Sequence, residues 1–241
     1  MVSDVPVTAR DAIDSAFRDE DGTLFNIIDT AGMRKKKAVE DESLEKYSVL
    51  RAIAAIERCD VALLMIDAQE GVTEQDTKIA GLILDAGKAV IVAVNKWDLV
   101  EKETNTMAKM EKEILNDLKF MSYVPVLFLS ALTGRRVNTV LGKVKEVVEN
   151  YRRRIPTGVL NEALADAQMS LQPPIQAGRK LKLYYATQQS ACPPTFVFFI
   201  NDKELMHFAY ERYLENHLRK SFEFAGTPIR FILREKEKEQ A

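Results

Sequence analysis

The 241-residue chain is 46% apolar and 29% charged, and its 34 Lys+Arg against 36 Asp+Glu leave a formal charge of −2 at pH 7. This composition excludes a wholly disordered polypeptide, and it excludes a global positive field that would draw the protein onto nucleic acid or anionic lipid; any such binding has to come from a local patch. The longest uninterrupted apolar runs, Val61–Ile66 and Ala89–Val94, are too short to cross a bilayer. The polar, acidic start Met1–Asp14 has no signal- or transit-peptide character. Cys59 and Cys192 lie far apart with no CxxC spacing, so a reduced, cytoplasmic protein without a cysteine-bound metal is expected.

In chain order, Thr23–Ile28 reads as a strand ending at Asp29. Leu44–Arg58 places Leu44, Tyr47, Leu50, Ile53, Ala54 and Ile56 at close to helical spacing. Val61–Ile66 is a continuous apolar run, as expected of a strand covered on both faces. Thr73–Ala86 reads as a helix capped by Thr73 with Asp76 three residues on. Ala89–Val94 and Val124–Leu129 are further buried strands, separated by the amphipathic helix Met107–Leu118. Val137–Tyr151 is helical, with Val137, Val140, Leu141, Val144 and Val148 on one face. Alternating helices and apolar, parallel-type strands predict an α/β sheet wrapped on both sides.

The basic stretch Tyr151–Arg154, closed by Ile155-Pro156, marks a domain boundary. Beyond it the order is a helix (Thr157–Met169), a Pro173-Pro174 loop, two strands (Leu181–Gln189 and Thr195–Ile200), a long helix (Lys203–Phe222) and a last strand (Pro228–Leu233). This is an α+β module. Phe196, Phe198, Phe199, Phe208 and Tyr213 are expected in its core. Tyr184 and Tyr185 straddle their strand, so one of them is expected to be exposed.

Three short motifs follow predicted strands, where open α/β sheets bind ligands. Asp29-Thr30-Ala31-Gly32 offers a carboxylate for Mg²⁺ and a glycine amide that can approach a terminal phosphate. Asn95-Lys96-Trp97-Asp98 is the most informative. A carboxylate at Asp98 can accept from both N1–H and the 2-amino group of guanine, whereas adenine would leave it unpaired. Asn95 can meet the base edge and tie adjacent loops, and the aliphatic stem of Lys96 can lie over the base. Ser130-Ala131-Leu132 offers the Ala131 amide to guanine O6.

Together these residues resemble the G3, G4 and G5 motifs of Ras-like, translation-factor-class GTPases. With Val2-Ser3-Asp4-Val5, Arg10–Asp14 and Met33-Arg34, the chain resembles the second G domain and C-terminal KH-like domain of the Der (EngA) family of bacterial ribosome-assembly GTPases. The resemblance implies a Ras-like P-loop GTPase fold over residues 1–154, a KH-like α-β-β-α-β domain over 155–235 and a charged tail over 236–241. It implies GTP or GDP at Asp29, Thr30, Ala31, Gly32, Met33, Asn95, Lys96, Trp97, Asp98, Ser130, Ala131 and Leu132. It further implies Mg²⁺ at Asp29, a potassium ion, and the large ribosomal subunit and its rRNA as partner. The chain is expected to be a monomer with neither membrane nor DNA as partner.

The sequence also departs from that family. No G-x-x-x-x-G-K-[ST] occurs, so an N-terminally incomplete G domain is expected, without its first strand, phosphate loop and first helix. The family's Gly-Thr-Thr-Arg-Asp is Val7-Thr8-Ala9-Arg10-Asp11 here, and Ala9 cannot ligate a metal. Met33 stands near the position where Ras-like enzymes carry a water-orienting glutamine. The potassium-binding asparagine of the phosphate loop is absent too. Losing three charge-assisted phosphate bonds costs roughly 4–9 kcal/mol, or about three to six decades of affinity. Weak GTP binding and negligible turnover are therefore expected of this chain, and no residue is assigned a catalytic role. The alternative function is a non-catalytic ribosome- or RNA-interaction protein that keeps the GTPase fold.

Overall fold

The computed structural model describes residues 14–28, 50, 52–101, 103–176 and 178–236. The chain divides into two compact units, residues 1–60 and 61–241.

In the first unit, β1 (Asp14–Arg18) pairs antiparallel with β2 (Leu24–Ile28), Phe17 opposite Phe25. The two rings stack at 5.3 Å. The connecting turn is held by carboxylates: Thr23 N donates to Asp19 Oδ1 and to Asp21 Oδ1 at 3.2 and 3.0 Å. Residue 50 and residues 52–58 (α1) are helical, and Arg58 forms an ion pair with Asp14. Here β2 forms a separate ribbon with β1. The strand β1 has no counterpart in the sequence expectations, because Asp14–Arg18 carries little apolar alternation. Residues 44–49 of the expected helix lie outside the described residues.

The second unit opens with a three-stranded parallel sheet in the order β3 (Val61–Asp67), β4 (Ala89–Asn95), β5 (Val126–Phe128). Residues 89–94 are wholly buried, as a central strand demands. The register Val61↔Ala89 through Asp67↔Asn95 sets those two polar residues side by side at the carboxyl ends of their strands. Between β3 and β4 runs α2 (Glu74–Asp85). Thr73 caps it through the expected reciprocal box, with Asp76 N donating to Thr73 Oγ1 and Thr73 N to Asp76 Oδ2. The helix α3 (Thr106–Asp117) follows β4, and α4 (Asn138–Tyr151) follows β5.

The buried stripe of α4 differs from the expected one. Val147 and Tyr151, one turn apart, pack on Ala89 and Ile91 with Val144 beside them, while Val137 is exposed. In its last turn Tyr151 Oη donates to Gly87 O at 2.9 Å.

The C-terminal module contains α5 (Thr157–Ser170), a short hairpin β6 (Ile175–Gln176) and β7 (Arg179–Lys180), then β8 (Leu183–Ala191), β9 (Pro194–Ile200), α6 (Phe208–Phe222) and β10 (Arg230–Glu235). The sheet order is β10-β9-β8, with β9 antiparallel to β8 and parallel to β10. One face carries the core: Phe196, Phe198 and Ile200 meet Leu160 and Leu164 of α5 and Leu214 and Leu218 of α6. The long helix starts at Phe208 instead of Lys203, because a 3-10 turn at Lys203–Leu205, capped by Asp202, precedes it. Phe208 is exposed at this helix start, and Phe199, half-buried, sits on the other face of its strand from Phe198 and Ile200, so both lie outside the core where they were expected. Tyr184 and Tyr185 are both exposed, because a bulge between Leu183 and Tyr185 breaks the simple alternation.

The module is fastened to the parallel sheet. At the start of β4, Val90 N donates to Gly226 O at 2.8 Å, and Gly226 N donates to Tyr123 O at 2.9 Å. Gly226 has φ +70, and a Cβ there would meet Val147 Cγ2 at 2.7 Å. The expected boundary stretch is pinned as well: Ile155 N donates to Gln188 Oε1 at 2.7 Å, and Gln188 Nε2 donates to Arg153 O at 2.9 Å.

Candidate functional site

Three backbone segments converge at the carboxyl edge of the parallel sheet. Ala68 N donates to Asn95 O at 2.9 Å, Leu129 N to Val94 O at 2.9 Å and Trp97 N to Leu129 O at 3.1 Å. The segments leaving β3, β4 and β5 are thereby stitched to one another.

Asn95 ends β4, and its side-chain Oδ1 accepts from Ala131 N at 2.9 Å. Lys96 then takes a left-handed conformation, φ 62 and ψ 30, unusual for a residue with a side chain. Such strain persists where the surroundings over-determine it, and two contacts do so here. Trp97 is buried against Phe128, ring centroids 4.6 Å apart. Lys96 Nζ lies 2.6 Å from Asp67 Oδ2, whose side chain is 3% exposed.

Asp98 follows in a short 3-10 turn. Its Oδ1 is buried and meets no hydrogen-bond donor among the described residues. A buried acceptor left unpaired costs about 1–3 kcal/mol, and more when charged. An unanswered carboxylate oxygen beside a pre-formed loop suits a ligand that brings N–H donors.

Ser130 is fully buried; its N donates to Arg135 O at 3.1 Å and its Oγ accepts from Thr133 N at 3.2 Å. This closes the loop that presents Ala131, while Leu132 is 88% exposed. The structure thus brings Asn95, Lys96, Trp97, Asp98, Ser130 and Ala131 into one bracket. Asp29, Thr30, Ala31, Gly32 and Met33 lie outside the described residues, as do Thr8 and Ala9.

Sequence reasoning missed Asp67. The signal was available: an aspartate closing the apolar run Val61–Ile66, in register with Asn95. Among the described residues no cluster of His, Cys, Asp and Glu could hold a metal ion, and no helix is long and apolar enough to cross a membrane.

A cleft of about 510 Å³ is lined by Tyr123, Glu149, Arg153 and Arg219, none of them from the three motifs. The Arg219 guanidinium sits 4.0 Å over the Tyr123 ring. Burial pushes the Tyr123 phenol up, with Arg219 pulling it partly back.

Residues 8–150 match the profile described as the elongation factor Tu GTP binding domain. Residues 154–234 match the KH-domain-like region of EngA bacterial GTPase enzymes, C-terminal. The chain is 56% identical over 239 residues to the GTPase Der of Acetivibrio thermocellus, covering 99% of this chain and 54% of that protein. It is 56% identical over 236 residues to the GTPase Der of Alkaliphilus oremlandii, covering 98% of this chain and 53% of that one. It therefore spans about half the length of the curated relatives it matches. In fold it is similar to Era, solved in complex with MgGDPNP and nucleotides 1506-1542 of 16S ribosomal RNA, at a TM-score of 0.50 and 20% identity over 94% of this chain and 81% of that one. With both profiles and the identities in agreement, the chain belongs to the Der (EngA) family of GTPases and corresponds to that family's second G domain with its C-terminal KH-like domain.

Proposed function

We propose that this chain reads the guanine base of GTP or GDP and serves the assembly of the large ribosomal subunit, with the nucleotide state gating its hold on rRNA. The observation that carries the reading is Asp98 Oδ1, buried and unanswered beside the Asn95–Ala131 bracket. Asp98 accepts from guanine N1–H and the 2-amino group. Ala131 N–H, which donates to Asn95 Oδ1 at 2.9 Å, would share that hydrogen with O6, Asn95 holds the two loops in register while meeting the base edge, and the Lys96 stem lies along the base plane. Ser130 and Trp97 anchor these loops from beneath, and Leu132 flanks them.

Asp29, Thr30, Ala31, Gly32 and Met33 are assigned to the phosphate side, with Asp29 for Mg²⁺ and a potassium ion as a further cofactor. Bound there, the metal would neutralise phosphate charge. The segments around Thr8–Asp11 and Asp29–Arg34 respond to the terminal phosphate. Residues 1–154 form the G domain, 155–235 the KH-like domain and 236–241 a charged tail, acting as a cytoplasmic monomer. Support comes from the family membership and from the chemistry of the bracket.

Ligand-observed NMR competition at millimolar nucleotide tests the base reading, because it registers weak binding. GDP should displace a guanosine probe at least tenfold better than ADP or XDP. Asp98→Asn should reverse the order of GDP and XDP, since the amide N–H then meets the 2-carbonyl of xanthine. Equal competition by ADP would overturn the reading.

A further inference from the structure

The face of the β8-β9-β10 sheet turned away from the core carries a second, different chemistry. Its positions follow from the register: Tyr185 opposite Phe199, Thr187 opposite Val197, and beside them Arg230, Ile232 and Arg234 of β10. Tyr185 and Phe199 stack at 4.3 Å with rings 13° apart. Tyr184, set out by the bulge, is 49% exposed, Tyr185 40% and Ile232 37%. Lys236 continues the ladder past β10, its N donating to Ile200 O at 2.9 Å, and its Nζ lies 5.8 Å from the Tyr184 ring centroid.

The charges on this face have one sign. Among the strand positions that share it there is Arg230, Arg234 and Lys236 but no carboxylate; Glu235 points to the other side, where its side chain accepts from Lys203 N. Arg230 is spoken for by Asp85 O at 2.7 Å. Arg234 and Lys236 form no ion pair among the described residues and are exposed. They stand two residues apart on one strand, about 6.8 Å, comparable to the step of an extended polynucleotide backbone. Two exposed tyrosines, one of them stacked on the half-buried Phe199, rimmed by cations without ion pairs among the described residues, have the chemistry that holds single-stranded nucleic acid: rings take base faces and cations take phosphates. A protein partner would be expected to meet complementary carboxylates or a larger apolar patch, and this face offers neither.

We propose that the exposed end of this sheet face, with Tyr184 and Tyr185 as stacking rings, Phe199 backing Tyr185, and Arg234 and Lys236 as phosphate contacts, binds single-stranded RNA. The assignment rests on the reading that RNA is the partner and specifies the surface that meets it. The Arg234 end of the face lies away from Arg230, which is committed to Asp85 O of α2.

The test is fluorescence anisotropy of the whole chain with a short, unstructured, labelled RNA oligonucleotide over a range of salt concentrations. Tyr184→Ala and Tyr185→Ala should each weaken binding about tenfold, and Tyr185→Phe should restore it. Arg234→Gln and Lys236→Gln should each flatten the dependence of log affinity on log salt by about 0.7. Circular dichroism melts check that each variant folds, and GDP competition monitors the guanine site independently. RNA binding that persists unchanged in all these variants would overturn the surface assignment while sparing the RNA reading. No RNA binding by the parent chain would overturn both. Self-association of the chain lost in Tyr185→Ala, with RNA affinity intact, would give the face to a protein and overturn the proposal.

Discussion

Asn95 Oδ1 accepts a hydrogen bond from Ala131 N at 2.9 Å, so one side chain ties together two loops 36 residues apart. Asn95→Ala removes that tie and frees the Ala131 amide to wander from the base-reading position. The bond contributes about 1 kcal/mol. The expected outcome is a guanosine affinity about fivefold to tenfold lower in ligand-observed NMR, with a small loss of melting temperature. A variant that melts like the parent and binds guanosine equally well would show that the tie does not position the loop.

Lys96 and Asp67 form an asymmetric pair, the lysine side chain 50% exposed and the aspartate 3%. Taking away the exposed partner removes the Lys96 charge from a buried carboxylate that keeps its hydrogen bond from Gln69 N. Lys96→Met keeps the stem and removes the charge, and should cost about 1–3 kcal/mol in urea unfolding. Adding Asp67→Asn should recover part of the loss, because the residual penalty is that of the stranded charge. Additive losses in the double variant would refute the coupling.

Gly226 occupies a position no other residue fits without strain. Its φ of +70 disfavours a side chain, and an added Cβ would lie 2.7 Å from Val147 Cγ2 and 3.0 Å from Val90 O. Gly226→Ala should destabilise the protein by at least about 2 kcal/mol. Thermal unfolding checks this, and Gly226→Ala with Val147→Ala should be partly rescued because the nearest clash is gone.

Burial, reinforced by the Glu215 carboxylate, holds the Glu211 carboxyl above its ordinary range. The folded state then keeps a proton that the unfolded chain has already released. Stability is therefore full below the ordinary carboxylate pKa and falls as pH rises through the folded value. Glu211→Gln removes the penalty, so it should raise the melting temperature at neutral pH and make little difference near about pH 3.5. An equal shift at both pH values would show that the gain is not electrostatic.

The amino-acid pattern alone located most elements of the second unit, because buried parallel strands are continuous apolar runs and Thr73 with Asp76 is a local capping signal. The Asn95–Asp98 motif was legible for the same reason: it directly follows the most apolar strand in the chain. Asp67 was not singled out, since its importance arises only when the parallel register sets it beside Asn95. The buried stripe of α4 includes Tyr151, whose hydroxyl donates to Gly87 O across 64 residues, a contact that no local periodicity encodes. Tyr184 escaped because a bulge shifts the alternation by one residue. The ribbon β1–β2 was half-visible: β2 is apolar enough to read as a strand, whereas β1 is specified mainly by its partner.

The Val90–Gly226 bond makes the C-terminal module a missing rung of the parallel sheet as well as a neighbour to it. Severing the chain after Tyr151 would strip the acceptor from a buried main-chain donor near the start of β4. Chimaeras that exchange C-terminal modules between relatives will hold together only if the incoming piece brings an Ala225-Gly226 loop able to close the same rung.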